Sequence, residues 1–203
     1  MYAIVENNQV KQIITNPKSL VIGDVRYPAK IFELWSKAEL NAIGIYEVIT
    51  DSTNKKDEAY YNNTNEQYNF ADNQVTRSWG IATPKRLEDE NAVDENGDPI
   101  LDDDGKQIIN YGLKTEKKRI VKQQASGLLA PTDWYVIKAS EVADYSVPSN
   151  ITTFRTDVRA KSNEMESQID ACTNVDELKA LYEYTRQEDG TQTRPLAEFP
   201  EEI

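Results

Sequence analysis

Short apolar runs separated by polar turns dominate the first ninety residues, and this is the pattern of strands. The runs Tyr2 to Val5 and Val10 to Thr15 flank the polar segment Glu6 to Gln9. The asparagines of that segment tolerate the positive φ of a tight turn, so the pattern predicts a hairpin. Further on, Ser36 with Glu39 three residues later has the spacing of a capping box, which predicts a short helix.

More strand-like runs follow this helix. Ile45 to Ile49 is one. A second hairpin is predicted from Gln67 to Phe70 and from Gln74 to Ile81, with its turn at Asp72-Asn73. The residues that it is expected to present on one face are Val75, Trp79 and Ile81. Residues 1 to 86 are therefore predicted to form a β-rich module with one short helix.

Residues 87 to 112 are rich in aspartate and glutamate. Two Asx-Gly turns, at Gly97 and Gly105, favour a compact β-arm that projects from the body. A calcium loop of the EF-hand type is the alternative, but neither glycine fits it. The two registers place Ala92 or Ile100 at the first position, where a carboxylate is required. The favoured interpretation is an acidic arm or linker exposed to solvent.

Trp134 begins the densest aromatic and β-branched run of the chain. A helix is predicted before it, from Glu116 to Leu129, because Pro131 disfavours helix at the preceding residue. Thr132 and Asp133 can then bond their own backbone and form a turn. Trp134 is interpreted as a buried core anchor at this corner, and contact with a ligand or partner is the alternative.

A long helix is predicted after Pro148. Apolar residues recur along it at intervals of three, four or seven, namely Ile151, Phe154, Val158, Met165, Ile169 and Cys172. Asn174 and Glu177 begin another helix, and the two helices are predicted to form a hairpin within the helical domain, residues 113 to 185. The tail, residues 186 to 203, is expected to lie extended over a surface. The predicted fold class is α+β.

Charge and residue inventory narrow the function. The chain has 35 acidic and 23 basic residues and a net charge of −12, which disfavours nucleic acid and anionic membrane as partners. It has no histidine, which removes the usual catalytic base and metal ligand, and its single Cys172 cannot form an internal disulfide. No apolar run reaches the length of about 20 residues that a spanning helix needs, and the first residues are too short and acidic for a secretory signal. We therefore predict no catalytic residues, no metal and no cofactor, and a protein that stays in the cytoplasm until it is assembled.

One segment resembles a known family. Lys122 to Ile137, which contains Leu-Leu-Ala-Pro-Thr-Asp-Trp, is followed by Val147-Pro148 and by Phe154 to Arg159. This arrangement is similar to the C-terminal segment of tailed-bacteriophage tail-assembly-chaperone or tail-fibre-associated proteins. Family members often end in Trp-Pro, where this chain has Phe199-Pro200. The resemblance implies a phage morphogenesis or virion protein without catalytic activity, located in the virion tail or in the host cytoplasm during assembly.

A protein of this kind acts by binding, and its expected partners are other phage tail or tail-fibre proteins, with a homo-oligomer also possible. The predicted partner-binding residues are Thr132, Asp133, Trp134, Tyr135, Arg155, Arg159 and Phe199. Arg155 and Arg159 lie four apart on one helix face and suit carboxylates, either of a partner or of this chain, with Asp133 one candidate. Phe199 lies among prolines and polar residues, without helical or strand neighbours to bury it, which favours contact with another chain.

Two other functions stay open at this stage. A glycosidase-like enzyme that uses paired carboxylates needs no histidine, and the 35 acidic residues are compatible with it. An unrelated soluble binding module is the second.

Overall fold

The computed structural model describes residues 1–201, and the chain divides into two compact units, Met1–Pro84 and Lys85–Ile203. The first unit is rich in strands and the second is mainly helical. This confirms the predicted α+β class. The acidic segment and the C-terminal segment both belong to the second unit.

The first unit contains both predicted hairpins and the predicted helix. Its elements are β1 Tyr2–Glu6, β2 Gln9–Ile14, β3 Leu20–Ile22, β4 Val25–Tyr27, α1 Ile31–Leu34, α2 Lys37–Ala42, β5 Ile45–Thr50, β6 Tyr61–Asn62, β7 Gln67–Ala71, β8 Gln74–Ser78 and β9 Thr83–Pro84. Helix α2 is the predicted one, and its capping box is complete, since Ser36 and Glu39 each bond the backbone N–H of the other. A single helical turn, α1, precedes it, so the module has two short helices instead of one.

Five strands of this unit form one sheet, in the order β2-β1-β5-β8-β7. All neighbours are antiparallel except β5 and β8, which are parallel. The outer strands β2 and β7 contact each other, so the sheet is curled. The curl creates an inner face, where Ala3, Val5 and Val75 are buried, and an outer face, which packs on α1 and α2. The pairs β3-β4 and β6-β9 form separate two-stranded sheets.

Two backbone segments of this unit approach each other closely at Gly44. Gly44 has φ +81°, and a Cβ atom there would lie 2.8 Å from the carbonyl oxygen of Val5. Only glycine fits such a position.

Strand β8 ends at Ser78, so Ile81 lies beyond the sheet and is 82% exposed, whereas Val75 and Trp79 are buried. The prediction that Ile81 shares their apolar face is therefore wrong.

The second unit contains four helices and two short strand pairs in its described residues. Its elements are β10 Glu90–Asn91, β11 Ile109–Asn110, α3 Leu113–Leu129, a 3-10 turn Ala130–Thr132, α4 Asp133–Glu141, α5 Ser149–Ala171, α6 Val175–Ala180, β12 Thr185–Arg186 and β13 Gln192–Thr193. The six apolar residues predicted to form the stripe of the long helix region are all buried. Asn174 caps α6 as predicted, because its side chain accepts the backbone N–H of Glu177. The main helix pair joins α3 and α5.

The acidic segment forms a compact β-arm, as the Asx-Gly turns predicted. Asp94 accepts the backbone N–H groups of Asn96 and Asp98, and Asp102 accepts those of Asp104 and Lys106 in the same way. The two turns belong to an eight-residue repeat, 93–100 and 101–108. The repeat brings Ala92, Ile100 and Ile108 into a closed ring of backbone hydrogen bonds. The carboxylates at the start of each turn thus organise the backbone of the arm.

Candidate protein interaction surface on helix α4

The chain does not turn after Pro131. Helix α3 passes through the 3-10 turn directly into α4, so the predicted turn at Thr132 and Asp133 is wrong. Pro131 lies at the start of the 3-10 turn, where a missing N–H group removes no helical hydrogen bond. Trp134 therefore stands on a helix and is 50% exposed. It is not the buried anchor that the sequence predicted.

Arg155 on α5 holds the junction between α3 and α4. Its side chain is 11% exposed, and its Nη1 atom lies 2.8 Å from a carboxylate oxygen of Asp133. The same atom donates to the carbonyl oxygen of Leu129, at 3.1 Å, and to the hydroxyl of Thr132. A rigid guanidinium that engages acceptors on both sides of the junction fixes the direction in which α4 leaves the helix pair.

The contacts of Arg155 show that some of the predicted partner-binding residues have a structural role instead. The intrachain ion pair to Asp133, an alternative in the sequence analysis, is formed. Thr132 is 5% exposed and Arg155 is 9% exposed, so neither offers a free surface to a partner. Both instead position α4. Sequence spacing shows that two residues share a helix face, but it does not show which other residues cover that face.

Helix α4 buries none of its nine residues. Four large apolar side chains on and just after it are exposed, namely Trp134 (50%), Val136 (44%), Ile137 (56%) and Val142 (46%). We call these four residues the α4 surface. Trp134 and Ile137 lie three residues apart and therefore share one face of the helix. Exposed large apolar side chains that share a face are characteristic of a protein–protein contact. Three of them were absent from the predicted site because the run after Pro131 was interpreted as core.

The aromatic residues of α4 are held in place. The rings of Trp134 and Tyr135 have centroids 3.9 Å apart. The ammonium of Lys138 lies 5.8 Å from the Trp134 ring and 4.3 Å from the ring of Tyr145. A cation over two aromatic faces restricts the rotamers of all three side chains. These contacts favour the observed position of the exposed Trp134 ring, which lowers the entropy lost when a partner binds it.

Arg159 is exposed and lies one helical turn beyond Arg155 on α5. Its Nη1 atom donates to the carbonyl oxygen of Arg155 at 3.2 Å. Among residues 1–201 it forms no ion pair with a carboxylate. Arg159 therefore keeps the capacity for a bidentate contact with an acidic group of a partner.

Phe199 has contacts within its own chain. It packs on the cluster of Ala125, Phe154 and Val158 between α3 and α5. The segment before it is fixed as well, since the side chain of Gln168 bonds the carbonyl of Pro195 and the N–H of Ala197. Leu196 of this segment is 2% exposed. Phe199 therefore has neighbours within its own chain, and the expectation that it lacks them is wrong. Two residues of the predicted tail, Glu202 and Ile203, lie outside the described part of the chain.

Hydrogen bonds shift the pKa of six described carboxylates. Those whose pKa is shifted all have it lowered, namely Glu39, Asp51, Glu66, Asp94, Glu177 and Asp189. At Asp94 the cause is hydrogen bonding from the backbone N–H groups of Asp98 and Asn96. The general acid of a glycosidase requires the opposite shift.

Across residues 1–201 no three Asp, Glu or Cys side chains are grouped so that they could hold a metal ion. No helix in this part of the chain is long and apolar enough to cross a membrane.

In comparisons with known proteins, the chain matches no protein-family model, no curated protein and no solved structure.

Proposed function

We propose that this chain is a non-enzymatic, protein-binding component of a bacteriophage tail, either an assembly chaperone for the tail or tail fibre or a protein retained in the virion tail. The observation that carries the proposal is the α4 surface. Its four large apolar side chains are exposed, and helix α4 buries none of its residues. We propose that this surface is the contact for the partner.

The energetics favour Trp134 as the centre of this contact. Tryptophan is enriched among the few interface residues that contribute most of a binding free energy. Burial of Ile137 and of the exposed half of Trp134 removes apolar area from water, and each Å² of that area stabilises the complex by about 25 cal/mol. Because Arg155 and Asp133 already fix the orientation of α4, little further ordering is required on binding.

The assignment to a phage tail is supported by the pattern that resembles the tail-associated family. That pattern has two parts, Leu-Leu-Ala-Pro-Thr-Asp-Trp and the paired arginines. In the structure Asp133 from the first part contacts Arg155 from the second. The two parts thus act together to orient α4. The net charge of −12 further favours a tail or tail-fibre partner whose contact surface is not strongly acidic.

Co-purification from infected cells tests this proposal. The tagged chain is expected to recover a tail or tail-fibre protein of the same phage. A variant with Trp134→Ala and Ile137→Ser should lose this partner while keeping its helical circular dichroism, because α4 buries nothing in the fold. The matched control is Ile81→Ser, which removes an exposed isoleucine from the other unit and should keep the partner.

Two results would contradict the proposal. One is recovery of no virion protein by the native chain. The other is undiminished recovery by the α4 variant. Mass spectrometry of purified particles then separates the two forms of the proposal, because a retained tail component is present in them and a chaperone is absent.

A further inference from the structure

We infer that the first unit binds a neutral saccharide in a pocket at the end of its curled sheet. The pocket has a volume of about 470 Å³. Its principal lining residues are Asn7, Asn8, Tyr46, Phe70, Asp72 and Asn73. This inference concerns Met1–Pro84 alone and does not rest on the proposed function of α4.

The topology of the sheet places two hairpin turns beside each other. Strand β5 begins opposite the end of β1, since Ile45 pairs with Ile4. Strand β8 runs parallel to β5, so it also begins at that end. The β1-β2 turn at Asn7-Asn8 and the β7-β8 turn at Asp72-Asn73 therefore project from the same end of the curled sheet. Ligand sites are frequent at the mouths of closed or curled sheets.

Two aromatic rings form the floor between the turns. Tyr46 and Phe70 have ring centroids 4.7 Å apart, with their planes inclined at 59°. Both are half-buried and pack on the inner-face residues Ala3, Val5 and Val75. Their rings thus offer an apolar platform at the base of a polar opening.

The rim consists of four polar side chains from the two hairpin turns, and none of them forms a hydrogen bond to another described residue. Asn7, Asn8, Asp72 and Asn73 have φ values of 51°, 61°, 50° and 60°. Glycine would meet this backbone requirement with less strain. The chain instead has a hydrogen-bonding side chain at all four positions, and none of these side chains bonds to another residue within 1–201. Three amides and one carboxylate are therefore available to a ligand.

The chemistry of the lining identifies the ligand class. No lysine or arginine lines the pocket, so it does not suit an anion. Amides both donate and accept, as do the hydroxyl groups of a sugar. A pyranose ring also has a face of C–H groups that fits an aromatic platform. A volume of about 470 Å³ lies within the range of small-molecule sites.

Nuclear magnetic resonance titration of the ¹⁵N-labelled full chain tests the inference. The probes are the methyl glycosides of glucose, galactose and mannose, and N-acetylglucosamine. At least one should shift the backbone amide signals of Asn7, Asn8, Asp72 and Asn73 in a saturable way, with a dissociation constant in the millimolar range. Amides of the second unit should not shift.

The variants Asn8→Gly and Asn73→Gly separate the side chains from the backbone. They create Asn-Gly and Asp-Gly turns, the preferred sequences of this hairpin type, so the fold is retained. Each should weaken sugar binding about tenfold, equivalent to about 1.4 kcal/mol. The matched control is Asn65→Gly, which changes a residue of the same backbone class (φ 52°) outside the pocket and should leave binding unchanged.

Three outcomes would overturn the inference. They are no saturable shift with any of the four sugars, equal sugar affinity in Asn73→Gly and the native chain, or shifts of the same amides by inorganic phosphate but by no sugar.

Discussion

Arg155 shows how a single buried side chain can control an exposed surface. Its guanidinium meets the carbonyl of Leu129, the hydroxyl of Thr132 and the carboxylate of Asp133. Because the Asp133 side chain is 55% exposed, solvent screens that ion pair, and its contribution to stability is small. The two hydrogen bonds at the buried end carry most of the effect.

We expect Arg155→Ala to lower the free energy of unfolding by about 1–3 kcal/mol, the cost of leaving buried acceptors without a donor. Urea denaturation measures this change. Arg159→Ala is the matched control, since Arg159 is exposed and should change stability by less than about 0.5 kcal/mol. Equal effects of the two substitutions would show that Arg155 does not hold the junction.

Trp134 illustrates what residue identity alone leaves open. Tryptophan is highly buried on average, and the sequence gives no sign of the neighbours that would bury this one. Here α4 buries none of its residues in the described structure, so the same residue type lies on the surface.

At the scale of elements, local side-chain hydrogen bonds define where helices begin. Glu177, in the first turn of α6, accepts the backbone N–H and the hydroxyl of Thr173 and the side-chain amide of Asn174. These bonds, chiefly that from the backbone of Thr173, hold the pKa of Glu177 below its usual value. The ionised carboxylate therefore stabilises the start of α6.

This shift predicts a dependence of stability on pH. A carboxylate whose pKa is lowered by folding contributes its full stabilisation above its unfolded pKa of about 4.3 and loses it as the pH falls through the folded value. Glu177→Gln should therefore reduce stability at neutral pH and show a weaker loss of stability on acidification. Urea midpoints of both proteins between pH 7 and pH 3 measure this. A mutant whose midpoints parallel those of the native chain would contradict the assigned role.

The β-arm is a second case in which local chemistry sufficed. Asp94 and Asp102 each accept two backbone N–H groups within four residues, so the turns need no distant partner. The ring of Ala92, Ile100 and Ile108 follows from repeating such a turn after eight residues. The amide of Gln107 then donates to the carbonyl oxygens of all three ring residues.

At the scale of the whole molecule, the second unit is completed by its C-terminal segment. Leu196 is buried and its N–H bonds the carbonyl of Leu181, while Phe199 covers the space between α3 and α5. Leu196 and Phe199 thus contribute to the core of this unit.

Truncation after Gly190 should consequently lower the melting temperature. Removing the buried Leu196 side chain alone should cost about 2–4 kcal/mol, the range for deleting a large aliphatic group from a core. Thermal unfolding followed by circular dichroism tests this, with Leu196→Ala as a smaller version of the change. A truncated chain with the native melting temperature would show that the segment is not part of the core and would restore the case for Phe199 as a partner contact.

The sequence by itself determined the features that arise within a few residues. The asparagine turns, the capping box at Ser36 and the apolar stripe of α5 were predicted correctly because backbone conformation and helical periodicity are local properties. The α+β class followed from the same patterns.

Only the tertiary structure decided which faces are covered. The parallel pairing of β5 with β8, the contact of Arg155 with Asp133, the packing of the partly buried Phe199 and the exposure of Trp134 all depend on residues far apart in the chain. Apolar side chains are drawn out of water without directional preference, so a hydrophobic pattern specifies that a face tends to be buried but not by which element. The α4 surface and the pocket between the two hairpin turns are therefore properties of the tertiary structure and could not be identified from the sequence.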